Sequence, residues 1–285
     1  MSIYSYNEEQ PTLDGVKRDI AKLIGQDDIK LQLEMIVKKI ADNQLHSFCC
    51  SEIVPPKPFH MVFMGNNGTG KSMVAEILGK LFYLAGSLTS YNVTEIDGPP
   101  RKSQIKSAEG GILVVNEYEC YDEKIIEEIK TIMDEKRTSV IFAGTREGLN
   151  KLINLNKKLY RKFIATLKFN DFSCEELSRM LHEKIKEETK GFELDDPSSS
   201  SSIIINETTN IIRKEIPESL RKELNGYLVN QMLADVKDCL NAARLGDDGK
   251  RRIFLNDIAN GVRLTARKYS NMLAMSSMAE DFLFF

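Results

Sequence analysis

The run Gly65-Asn66-Asn67-Gly68-Thr69-Gly70-Lys71-Ser72 fits G-x-x-x-x-G-K-[ST] without a gap. Its glycines let the backbone turn tightly, so that several N–H groups point into one hollow and hold phosphate oxygens at a helix amino terminus. Lys71 is placed to reach the β- and γ-phosphates of a nucleoside triphosphate, and the Ser72 hydroxyl to take a coordination position on Mg²⁺. Met73, next in the chain, closes the stretch expected to line the phosphates. The expected ligands are ATP and Mg²⁺.

Hydrolysis needs a second strand that ends in carboxylates. Gly110 to Glu117 has that shape, because four apolar residues, Ile112 to Val115, lead into the polar pair Asn116-Glu117. An aspartate at the first of these positions would orient the hydrated metal, and the glutamate would activate the attacking water. Here the first position is an asparagine. Asn116 still accepts a hydrogen bond from a metal-bound water but brings no negative charge. Loss of such an outer-shell partner typically costs about 10- to 100-fold in metal affinity or activity. Turnover is therefore expected to be slow, with Glu117 as the remaining base, and restoring aspartate at 116 is expected to raise it or lower the Mg²⁺ requirement.

These groups need a scaffold that delivers strand ends to one edge. Phe59 to Met64 is an apolar run that enters the loop, and Val74, Ile77, Leu78 and Leu81 draw a helical stripe behind it. Tyr91 to Ile96, Ile112 to Val115, Ser139 to Ala143 and Ile164 to Phe169 have the same buried-strand character. Helical patterns such as Ile125, Ile129 and Ile132 separate most of them, which predicts an α/β fold with a five-stranded parallel sheet covered on both faces. Upstream, Ile29, Leu33, Ile36 and Ile40 mark another helix, stopped by Pro55-Pro56-Lys57-Pro58. From about Ser173 strand signals cease. Leu177, Leu181 and Ile185, then Leu228, Met232 and Val236, then Leu255, Ile258 and Val262 predict an all-helical second domain. A polar loop from Asp195 through the serines 198–202 interrupts it, and no internal repeat is visible.

With 285 residues, 42% apolar and 28% charged, the chain has room for two cores and the balance of a globular protein. A net charge of −3 offers no global pull on nucleic acid. The five cysteines, among them Cys49, Cys50 and Cys120, and the three histidines show no metal-ligand spacing, so a structural metal is not expected. Met1 to Glu9 lacks the pattern of a secretory signal, and no apolar run reaches bilayer length. The expectation is an intracellular protein without a membrane partner, with cytoplasm, nucleus and organelle all open.

On these motifs the chain resembles the AAA+ ATPases, and within them the branch of CbbX (the red-type rubisco activase) and SpoVK. Leu23-Ile24-Gly25-Gln26-Asp27-Asp28-Ile29-Lys30 is similar to that branch's amino-terminal signature, and Phe59 to Gly65 to its approach to the P-loop. The resemblance covers roughly Leu23 to Lys268. It implies an AAA+ nucleotide-binding domain over 23–172, preceded by an extension, 1–22. A helical lid over 173–270 and a tail, 271–285, would follow. It also implies that Leu23, Ile24 and Gly25 border the adenine, that Thr145 senses the γ-phosphate, and that subunits assemble into a homo- or hetero-oligomeric ring.

Three departures bear on function. The family's arginine finger falls on Lys162, with Arg161 beside it, and lysine lacks the forked donor pair of arginine. The lid arginine falls on Tyr227, with Arg221 upstream. The pore loop between the second and third strands is short, Asp97 to Ser103, and has no aromatic residue. Two functions fit best: a weak ATPase that remodels a protein partner, or a nucleotide-holding structural or regulatory subunit of a mixed ring; a nucleic-acid-dependent NTPase on the same fold is a third reading, disfavoured by the net charge.

Overall fold

The computed structural model describes residues 10–47, 59–99, 101–117, 123–155, 157–188, 192–194, 201–240 and 251–282. The prolines 55–58, Cys49, Cys50, Cys120, the loop residues 195–200 and the tail residues 283–285 lie outside them. Chain contacts divide the molecule into two units, one of 1–66 with 70–170 and one of 67–69 with 171–285.

The first unit is a five-stranded, fully parallel sheet. Its strands are β1 (Met61–Met64), β2 (Val93–Ile96), β3 (Ile112–Asn116), β4 (Ser139–Gly144) and β5 (Ala165–Lys168), in the order β2-β3-β4-β1-β5. Strand side chains alternate between faces, and both faces are apolar here. Met61, Phe63, Ile112, Val114, Ile141 and Ala143 share one core, while Val62, Leu113, Val115, Val140 and Phe142 share the other. That continuous apolar run marks strands covered on both sides.

Helices supply the cover. The first core receives α1 (Leu13–Lys22), α2 (Asp27–Ser47) and α3 (Lys71–Leu84) through Val16, Ile20, Ile29, Leu33, Leu78 and Leu81. The second receives α4 (Lys102–Ala108), α5 (Glu123–Asp134), α6 (Arg146–Leu155) and α7 (Lys157–Tyr160) through Ala108, Ile126, Ile129, Leu149 and Leu159. Thr12 caps α1, its hydroxyl accepting the Gly15 N–H at 3.1 Å, an arrangement worth about 1 kcal/mol. Helix α4 starts at Lys102, at the end of the segment Asp97 to Ser103 in which a pore loop was expected.

The second unit is mainly helical: α8 (Cys174–Glu188), α9 (Ser201–Glu215), α10 (Glu218–Leu224), α11 (Gly226–Cys239) and α12 (Leu255–Phe282). Leu177, Leu181, Ile185, Leu228, Met232, Val236, Ile258 and Val262 meet in one core, as their helical spacing requires. Gly261 lets α12 lie against α11, since a Cβ there would stand 2.5 Å from Val236 Cγ2. Two details differ from the sequence expectation. The unit is not all-helical, because β6 (Phe192–Leu194) pairs in parallel with β7 (Arg251–Ile253); three-residue strands are too short to show a period. Ser201 and Ser202, placed in a polar loop, open α9.

Candidate functional site

The loop after β1 turns through left-handed backbone at Gly68 (φ +72°) and Gly70 (φ +95°), where a side chain would be strained. Gly70 caps α3 with no side-chain hydrogen bond, so the first-turn N–H groups of that helix are not taken by a capping side chain. Ser72 and Met73 are exposed on that turn, Met73 by 54%. The Lys71 ammonium folds over the loop and donates to the carbonyls of Gly65 (2.9 Å) and Asn66 (2.7 Å). Burial lowers its pKa, against which the Glu117 and Glu95 charges raise it. The cation thus feels the charge of two carboxylates carried at the ends of β2 and β3.

Strand order decides which groups meet. β4 lies between β1 and β3, so Thr145, just past β4, falls between the loop and Glu117. Backbone bonds tie the three ends: Gly65 N–H donates to Gly144 O (2.9 Å), and Glu117 N–H to Ala143 O (2.8 Å). Glu117 Oε2 accepts both the N–H (2.6 Å) and the hydroxyl (2.7 Å) of Thr145, whose Oγ1 in turn accepts the Gly148 N–H at 3.2 Å. The carboxylate is packed as well as bonded, since a Cβ on Gly148 would sit 1.8 Å from Glu117 Cδ. Two charge-assisted bonds of this kind fix which way a base points.

The residues fit a phosphate-bound metal. Mg²⁺ carried by substrate phosphates needs only one or two protein groups, and Ser72, exposed on the first turn of α3, and Asn116, at the end of β3, are of the right chemistry. Ser72 would supply a hydroxyl and Asn116 an amide oxygen. When bound, the ion would neutralise charge on the phosphates.

Other residues of the sequence reading lie elsewhere. Leu23 is buried in the first core, and Gly25 (φ +69°) and Gln26 (φ +55°) form a bend. The Gln26 amide clasps the chain after β5, donating to Asn170 O (2.7 Å) and accepting its N–H (3.1 Å). Lys162 forms an ion pair with Asp134 at the end of α5, and Arg161 is exposed on the turn after α7. Neither is brought to the P-loop of its own chain. Tyr227 is 59% exposed at the start of α11, and Arg221 contacts Cys174. His60 serves packing, its Nδ1 accepting the Val140 N–H at 3.0 Å.

Sequence reasoning overlooked Glu95 and Asp97 at the end of β2, which receive the Asn116 Nδ2 protons at 3.4 and 2.8 Å. A carboxylate ending one strand becomes informative only when its neighbour is known.

The architecture is the AAA+ P-loop NTPase fold. A solved structure, the Thermotoga maritima RuvB Holliday junction branch migration motor, superposes with a TM-score of 0.54 at 16% identity, over 85% of this chain and 70% of that one. Among known proteins the chain is similar to members of the CbbX/SpoVK-like branch of the AAA+ family. It is 25% identical over 197 residues to stage V sporulation protein K of Bacillus subtilis, covering 61% of each chain. It is likewise 25% identical over 197 residues to the chloroplastic ribulose bisphosphate carboxylase/oxygenase activase of Cyanidioschyzon merolae, covering 61% of this chain and 66% of that one. The chain therefore spans less than two thirds of the length of either relative. A family model described as a domain of unknown function (DUF8495) matches residues 171–266, within the second unit. Among the described residues no helix is long and apolar enough to cross a membrane.

Proposed function

We propose that this protein binds ATP with Mg²⁺ at the loop 65–72, hydrolyses it slowly, and uses the cycle to remodel a protein partner. The observation that carries the reading is the placement of Lys71, Glu117 and Thr145 at three adjacent strand ends, with Thr145 hydrogen-bonded to Glu117 and Lys71 to the Gly65 carbonyl at the start of the loop. Lys71 and the loop N–H groups hold the phosphates. Glu117, oriented by Thr145, takes a proton from the attacking water. Ser72 and Asn116 stand where the phosphate-bound metal would be held. A protein as client is supported by the Cyanidioschyzon merolae relative, which by its name is an activase of another enzyme. Assembly into a ring, with Leu23 to Gly25 beside the adenine, follows the branch resemblance.

A second reading is favoured by Lys162. Its ammonium is engaged by Asp134, so a neighbouring active site would receive only Arg161 from this turn. Together with the uncharged Asn116, this suits a nucleotide-holding regulatory subunit that depends on a companion for chemistry. Steady-state phosphate release with ATP and Mg²⁺, beside a Glu117→Gln control, separates the two. Turnover abolished by the substitution supports the ATPase. Tight ATP binding with turnover equal to the control supports the holding subunit.

A further inference from the structure

Asn116 is not simply a position that has lost its charge. Its amide nitrogen donates to Asp97 Oδ1 at 2.8 Å and approaches Glu95 Oε2 at 3.4 Å, both from the adjacent strand β2. Carboxylates only accept, so these two neighbours fix which end of the amide faces them and turn the carbonyl oxygen the other way. The parallel register sets Glu95 beside Val114 and Ile96 beside Val115. The next residues along, Asp97 and Asn116, therefore lie at the same sheet edge as the P-loop. The Glu95 charge reaches as far as the Lys71 ammonium. Carboxylate charge is thus present beside Asn116, one strand over from where β3 would have carried it.

This arrangement reverses the expectation drawn from sequence for aspartate at 116. A carboxylate there would face Asp97 across a hydrogen-bond distance with no donor between them. Two like charges at that distance repel each other. The substitution would break the Asn116 contact and set the two side chains apart.

Building on the ATP·Mg²⁺ reading above, we propose that Asp97, with Glu95 beside it, is the positioning carboxylate of the metal site. It orients the Asn116 amide so that the oxygen serves the hydrated Mg²⁺, and it supplies from β2 the negative charge that β3 lacks. Asn116 and Asp97 then form one matched pair.

The test measures how far Mg²⁺ strengthens binding of a fluorescent ATP analogue, by titrating the full chain with the analogue in EDTA and again in excess Mg²⁺. The chains compared are the native one, Asp97→Asn, Asn116→Asp and the double exchange. Each single change is expected to reduce the Mg²⁺-dependent gain by about 10- to 100-fold, the range for outer-shell metal partners. The double exchange, which restores one amide and one carboxylate, is expected to recover it to within about threefold. Binding in EDTA reports folding without the metal. Should either single variant lose even that, recovery in the double exchange decides for the pair, and failure to recover decides against it. The proposal is overturned if Asn116→Asp alone increases the gain while Asp97→Asn leaves it unchanged. If the native chain binds no analogue under either condition, the ATP reading itself fails. If it binds equally in all four chains, only the role of Asp97 fails.

Discussion

One oxygen of Glu117 accepts two hydrogen bonds from Thr145, from the backbone N–H at 2.6 Å and from the hydroxyl at 2.7 Å. The base of the proposed hydrolysis and the residue matched to γ-phosphate sensing are thus one hydrogen-bonded unit, and Gly148 leaves the room for it. Any change in the position of Thr145 is transmitted to the carboxylate.

Thr145→Val keeps the N–H donor and the side-chain shape but removes the hydroxyl. Phosphate release is expected to fall about 100-fold, at the low end of what a positioned base contributes, with ATP affinity unchanged. Gly148→Ala puts a methyl group into the carboxylate and is expected to lower turnover to the level of Glu117→Gln. Steady-state phosphate release beside an ATP titration checks both, and normal turnover in Gly148→Ala would sink the assignment of Glu117.

Lys71→Met removes the ammonium while keeping a stem of similar length. A charged hydrogen bond contributes about 1.5–3 kcal/mol, so ATP binding is expected to weaken by about 10- to 100-fold. Calorimetric titration with ATP measures it directly.

Asp235 in α11 is fully buried, and its carboxylate is met by Thr265 Oγ1 (2.6 Å), Gln231 Nε2 (3.1 Å) and Lys268. Thr265→Val leaves one buried acceptor without its donor, at a cost of about 1.5–3 kcal/mol. A lower thermal midpoint with ATP binding retained is the expected result, read by circular dichroism.

His182 is buried against Thr208 (3.1 Å), and burial first, then Lys186, pushes its pKa down from 6.5 to about 4. Between those values the unfolded chain binds a proton that the folded chain refuses. The stability associated with neutral His182 is therefore complete above pH 6.5 and lost as the pH falls toward 4. The full loss amounts to roughly 3 kcal/mol. Urea midpoints are expected to drop over that window, and His182→Gln to flatten the drop.

Much of this protein is written locally. The P-loop is legible because its glycines and Lys71 act through backbone turns within eight residues, and the strands because apolar runs between helical stripes have no other buried use. The faces of α2, α8, α11 and α12 follow from helical spacing alone. Asn116 and Glu117 are legible as the polar end of a buried run.

Tertiary structure decided the rest, because a linear pattern does not say which strands become neighbours. Placing β4 between β1 and β3 joins Thr145 to Glu117, and pairing β2 with β3 sets Asp97 against Asn116. That second pairing turns an apparent loss of charge into a charge held one strand away. The same holds for Lys162, a basic residue in a turn until folding brings Asp134 to it. The sequence alone determined the parts of a phosphate site and the order in which the chain makes them. Long-range packing determined which of those parts touch, since contacts between residues tens of positions apart depend on how whole strands and helices bury their apolar faces.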